Sequence, residues 1–184
     1  MLSSRSRIDR VVSDIVFDFS VKPRLSSERG NAIPVASSIY EACKYFELFQ
    51  KTPFRNKCAL ITSYNPNAQD ITKEETGANT DIDRQVIYNT YTELLKGVEA
   101  MGGLSKTEEA AKALFTKEPA NMKLLVVVDK LLTAFDAPPC TYVYIDTSMQ
   151  DHGLFQAICR TNRLDGEDKD FGYIVAYKGL FKKG

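Results

Sequence analysis

The run Leu124-Leu125-Val126-Val127-Val128 constrains this chain more than any other feature. Five consecutive apolar residues cannot form a strand with one wet face, because such strands alternate polar and apolar positions. They fit a strand covered on both sides, as in a parallel sheet with helices above and below. Residues 142–145 and 173–176 repeat the pattern, and residues 150–162 between them have helical spacing. Strands that alternate with helices in this way predict an α/β fold: one parallel sheet flanked by helices on both faces.

The first half of the chain supplies further units of the same kind. Ile8, Val11, Val12, Ile15 and Phe19 fall on one face of a helix over residues 7–19, and residues 22–30, with Pro23 and Gly30, read as a loop. Residues 33–36 form a short apolar run. Ser37-Ser38 follows it, and then a helical stretch over 39–49 with Ala42, Tyr45, Phe46 and Phe49 on its buried face. Residues 57–62 predict a second strand. The polar segment 65–80 reads as a mobile insertion, and 81–101 as a helix anchored by Ile82, Val86, Tyr91, Leu94, Leu95 and Val98. Ser105-Lys106-Thr107-Glu108 has the form of a capping box, which predicts a helix from there to about residue 116. Nearby Gly102, Gly103 and Lys106 do not meet the G-x-x-x-x-G-K-[ST] spacing of a phosphate loop. The whole chain, 1–184, is expected to be one domain and a fragment of a larger protein.

Composition removes several classes of chemistry. The single histidine, His152, rules out a three-histidine metal site within the chain. Cysteines 43, 58, 140 and 159 are scattered without any Cys-x-x-Cys pair and are expected to be free thiols, mostly core fillers. The 24 Lys and Arg balance the 24 Asp and Glu, so contact with nucleic acid would rest on a local patch and not on overall charge. No apolar run approaches the roughly 18–20 residues that span a bilayer, and residues 1–10 are polar and Arg-rich with no apolar segment after them. The expected location is cytoplasmic, with no membrane partner.

In parallel α/β folds, ligands bind at the carboxyl ends of the strands, so chemistry is sought in the segments that follow them. After the 124–128 strand comes Asp136, held off any long helix by Pro138 and Pro139. Taken alone, it is as good a turn residue as a ligand. Gln156, Arg160 and Arg163 stand at i, i+4 and i+7 and so project from one side of a helix. Two aligned guanidiniums form a fork for phosphate oxygens, although a solvated basic helix edge has the same spacing. Glu167-Asp168-Lys169 lies in a run of charges and reads as a solvated turn.

Taken together, Ala134-Phe135-Asp136 and Gln156 with Cys159, Arg160 and Arg163 resemble the fifth and sixth signature motifs of superfamily 2 helicases and translocases. The wider string is similar to the motor subunit of type I restriction enzymes. It runs from Leu131-Leu132-Thr133-Ala134-Phe135-Asp136-Ala137-Pro138 through Tyr144-Ile145-Asp146 to His152-Gly153-Leu154-Phe155-Gln156-Ala157. The letter-level likeness covers residues 123–177, and upstream the likeness is one of layout.

The resemblance implies the second of two RecA-like lobes of an ATP-driven DNA translocase and endonuclease. On that basis Arg160 and Arg163 are arginine fingers toward the β- and γ-phosphates of ATP, and Gln156 faces the same cleft. Asp136 lies near the nucleotide ribose or braces the arginine helix. Ser37, Ser38 and Lys130 lie near phosphates of the tracked strand of double-stranded DNA. ATP and Mg2+ are bound mainly by the first lobe, since this chain has no Walker sequence and no Asp-Glu box. The implied partners are that lobe and a nuclease domain of the same subunit, together with methyltransferase and specificity subunits. Ala134 and Cys159 replace glycines of the motifs, and Val128 stands where many relatives place a DNA-contacting Thr. Two alternatives are a stand-alone superfamily 2 helicase lobe and a non-catalytic α/β module that holds an anion between the arginines.

Overall fold

The computed structural model describes residues 4–61, 89–90, 104–128, 137–147, 165–167, 169 and 172–177. Their elements are α1 (Ser4–Val21), β1 (Asn31–Ala36), α2 (Ile39–Phe49), β2 (Cys58–Ile61), α3 (Leu104–Lys117), β3 (Leu124–Val128), β4 (Cys140–Asp146) and β5 (Tyr173–Ala176). The five strands form one sheet in the order β2-β3-β1-β4-β5, and every neighbouring pair is parallel. This is the α/β architecture read from the sequence, and it is consistent with a RecA-like lobe.

Strand alternation sorts the core into two layers. Ala32, Ala36, Leu60, Leu124, Val126, Val128, Tyr142 and Tyr144 face one side. There they meet Ile8, Val11, Val12, Ile15 and Phe19 of α1 and Ile39, Ala42, Cys43, Tyr45 and Phe49 of α2. Ile33, Val35, Ile61, Leu125, Val127, Val143 and Ile145 face the other side, against Ala111 and Phe115 of α3. Every residue of β1, β3 and β4 is buried, which is why their sequences carry no alternation. Phe46, expected on the buried face of α2, is only partly buried, and Cys43 takes a core position instead. Burial pushes the thiols of Cys43 and Cys140 up to about 12, so both stay protonated and unreactive near neutral pH.

Polar side chains close the amino end of the sheet. Arg24 donates from Nε to Thr141 Oγ1 (3.1 Å), from Nη1 to the Asp165 carbonyl (2.9 Å), and from Nη2 to the Arg29 carbonyl (3.1 Å) and Asp165 Oδ2 (2.5 Å). Lys123 Nζ donates to the carbonyls of Ser27 and Gly30. Burial, with nearby Lys57 and Arg24, lowers its ammonium to about 8. Lys169 corrects the reading of residues 167–169 as a solvated turn. Glu167 is exposed, but the Lys169 side chain is buried and donates to the carbonyls of Pro138 (2.6 Å) and Cys140 (2.8 Å). A lysine that satisfies two orphan carbonyls behind a strand can be buried at tolerable cost.

Ser105 lies inside α3 and not ahead of it, so the capping-box reading places the helix start too late. The insertion expected over 65–80 lies outside the described residues, as does the 81–101 helix apart from Asn89 and Thr90, which are helical.

Gly30 sits where the loop turns into β1. A Cβ there would come within 2.6 Å of the Arg24 carbonyl oxygen and 2.8 Å of its carbon. Arg24 is held by the bonds just described and has little freedom to yield. Gly30→Ala is therefore expected to cost about 1–3 kcal/mol, measured as a lowered urea midpoint at unchanged slope.

Candidate functional site

The carboxyl edge of the sheet is flush. Ala36 of β1 pairs with Val128 of β3 on one side and with Asp146 of β4 on the other. The chain leaves this edge at three adjacent points: after Ala36 into Ser37-Ser38, after Val128, and after Asp146 through the buried Thr147.

Ser38 is the N-cap of α2. Its backbone is extended (φ −151°, ψ 164°), and its hydroxyl accepts from the Glu41 amide at 3.2 Å. Neighbouring Ser37 is exposed. A helix start that presents two hydroxyls beside free amides favours an anion, in keeping with the helix dipole. Glu41, in the first turn, works against this, because it adds a carboxylate at the same spot.

That carboxylate belongs to a network. Ser37 Oγ donates to Glu41 Oε2, and Arg7 Nη2 donates to Glu41 Oε1 at 2.6 Å. Arg7 Nη1 donates to Asp146 Oδ2, which also accepts from the Tyr45 hydroxyl at 2.5 Å. Asp146 is 1 % exposed, and its second oxygen, Oδ1, has no hydrogen-bond partner. One guanidinium thus serves two carboxylates. Burial opposes the charge on Arg7, but the pull of Glu41 and Asp146 outweighs it and raises the guanidinium above its ordinary value. Burial first, and then the bond to Asp146, also push the Tyr45 phenol well up, so Tyr45 acts here only as a neutral donor.

Of the residues singled out in the sequence, Ser37 and Ser38 lie together at this edge. Lys130, Asp136, Gln156, Arg160 and Arg163 lie outside the described residues. Sequence reasoning missed Arg7, Glu41, Tyr45 and Asp146. Glu41 had a signal, the Ser38-x-x-Glu41 spacing at a helix start, whereas the pairing of Arg7 with Asp146 across 139 residues had none. Among the described residues no group of three His, Cys, Asp or Glu side chains is arranged to hold a metal. Likewise, no helix among them is long and apolar enough to cross a membrane.

Comparison with known proteins agrees with this architecture. Residues 28–179 match the family described as type I restriction enzyme subunit R domain 3. The chain is 28 % identical over 162 residues to the type I restriction enzyme SauCOLORF180P endonuclease subunit of Staphylococcus aureus (strain COL), covering 83 % of the chain and 17 % of that protein. It is 35 % identical over 96 residues to the HindI endonuclease subunit of Haemophilus influenzae, covering 45 % of the chain and 9 % of that protein. Over 57 residues it is 44 % identical to the SsaAORF53P endonuclease subunit of Staphylococcus saprophyticus, covering 31 % and 6 %. The chain therefore spans at most 17 % of the length of these relatives. With the family match running from just before the first strand to just beyond the last, this chain belongs to the type I restriction enzyme subunit R family, to which it contributes domain 3.

Proposed function

We propose that the chain is the second motor lobe of a type I restriction subunit and completes, with a first lobe, an ATP site that drives movement along double-stranded DNA. The observation that carries this reading is the family match over residues 28–179. The flush carboxyl edge supports it, since Ser37, Ser38 and the strand ends after which Lys130, Asp136, Gln156, Arg160 and Arg163 follow in sequence all belong to that edge. In the proposal Arg160 and Arg163 stabilise charge on the transferring phosphoryl group. Gln156 lies in the same cleft, Asp136 near the ribose, and Ser37, Ser38 and Lys130 near DNA phosphates.

ATP and Mg2+ are assigned mainly to the first lobe. The described carboxylates at this edge, Glu41 and Asp146, are occupied by Arg7, Ser37 and Tyr45, so they suit a bracing role better than metal binding. DNA cleavage is assigned to a nuclease domain of the same subunit, and site recognition and methylation to separate subunits. The compartment proposed is the cytoplasm.

A lobe that supplies only half of a nucleotide site binds nucleotide weakly by itself. Titration of the 184-residue chain with a non-hydrolysable ATP analogue is expected to show at best weak binding, and an assay with DNA present no ATP turnover. Tight binding by the chain alone would instead identify an anion-binding module, and DNA-stimulated turnover would overturn the shared-site reading.

A further inference from the structure

Helix α1 lies ahead of the family-matched region, which begins at residue 28, yet it supplies the cation that balances two carboxylates inside that region. Without Arg7, no positive charge among the described residues would be bonded to Glu41 or to Asp146. Tyr45 satisfies one oxygen of Asp146 but carries no charge.

The hydroxyl of Ser37 has one hydrogen, and Glu41 holds it. A phosphate that approaches the start of α2 needs that hydrogen, and it also meets the charge of Glu41. Both obstacles shrink when Glu41 is already neutralised from its other oxygen. Arg7 does this at 2.6 Å, and its second nitrogen is fixed by the buried Asp146 so that the guanidinium cannot swing away. Among the described side chains of α1, Asp18 accepts from the Tyr144 hydroxyl at 2.8 Å, and Asp14 and Asp18 both act on Tyr177. They offer no substitute for Arg7.

We propose that Arg7 is a positioning residue for the nucleic-acid contact at Ser37 and Ser38: it neutralises and anchors Glu41, so that an arriving backbone phosphate meets less repulsion and can draw the Ser37 hydrogen away from that carboxylate. This rests on the reading of that turn as a DNA contact. The helix that leads into the domain thereby sets the affinity of a contact made by the domain itself.

The test uses the full-length subunit and reads the DNA concentration that half-saturates ATP turnover, separately from the maximal rate. Ser37→Ala combined with Ser38→Ala checks the underlying reading, and an unchanged half-saturating concentration in that variant would sink the reading itself. Given weakened DNA use in the serine variant, Arg7→Gln is expected to raise the half-saturating concentration about tenfold with the maximal rate nearly unchanged. Arg7→Lys should keep most of the effect of the native residue. Glu41→Gln in the Arg7→Gln background should restore DNA affinity, because a neutral side chain needs no counter-charge. A purely structural role predicts the opposite pattern: the maximal rate falls, Glu41→Gln gives no rescue, and the half-saturating concentration stays put. That pattern would overturn the inference while leaving the serine contact intact.

Discussion

Replacing Arg160 by alanine in a protein that carries both lobes is expected to cut ATP turnover by roughly a hundredfold or more, with the fold intact. The proposal assigns Arg160 to the charge that develops on the γ-phosphoryl group, and fingers of this kind are worth about 10³–10⁵ in rate. The effect belongs in the maximal rate and not in DNA affinity, since the residue acts on the reacting phosphate. Arg160→Lys should recover little, because an ammonium cannot reproduce the two-pronged guanidinium contact. Steady-state turnover with saturating DNA, with circular dichroism to verify folding, decides the matter. Near-normal turnover would remove Arg160 from the nucleotide site and leave its alignment with Gln156 and Arg163 as a solvated helix edge.

A second large effect is expected at Asp146, this time on stability. Its Oδ2 is the acceptor for both Arg7 and Tyr45. Asp146→Ala removes one of the two carboxylates that hold Arg7 and takes the acceptor from the hydroxyl of Tyr45, a residue only 1 % exposed. Breaking a buried charged pair from one side typically costs about 3–5 kcal/mol, and here Arg7 is partly exposed, which favours the lower end. For a chain of this size the thermal midpoint should fall by on the order of 10 °C. Asp146→Asn should fall between the two, since the amide oxygen still accepts from Tyr45 while the charge opposite Arg7 is gone. A loss below about 1 kcal/mol for the alanine variant would mean that the network contributes nothing net, as exposed ion pairs often do.

Why some of this was legible in the sequence and some was not has a physical basis. Strand β3 and helix α2 could be read to the residue, because burial on two faces or on one helical stripe writes itself directly into apolar spacing. β1 was read two residues short at its start, and β5, though placed at 173–176, is a half-exposed strand at the end of the sheet order and not one covered on both faces. β4 was read as residues 142–145 but runs from Cys140 to Asp146. The shortfall lies at its polar ends, where Thr141 and Asp146 are buried by virtue of partners far away in the chain, Arg24 and Arg7. Lys169 was misread for the same reason: its charge suggested solvent, and only the fold supplies the two carbonyls that hold it. At the site, Ser37 and Ser38 were legible from their place between a strand and a helix. The carboxylates and the arginine around them were not, because pattern reading weighs a charged residue by its neighbours in sequence. The motif arginines were legible by resemblance, which carries chemistry without geometry.

The strand order has a consequence for how the domain comes into being. β1 occupies the centre of the sheet, yet its two neighbours, β3 and β4, are made roughly 90 and 110 residues after it, and β2 pairs with β3 and not with β1. No two described strands can therefore join until the ribosome has delivered residues 124–128, and β1 and β2 wait until then as unpaired strands. Folding is governed by late, distant contacts and should be correspondingly slow. A chain that stops short of β3 is then not a smaller version of this domain but a set of strands with nothing to bond to, exposed to aggregation for as long as translation is stalled there.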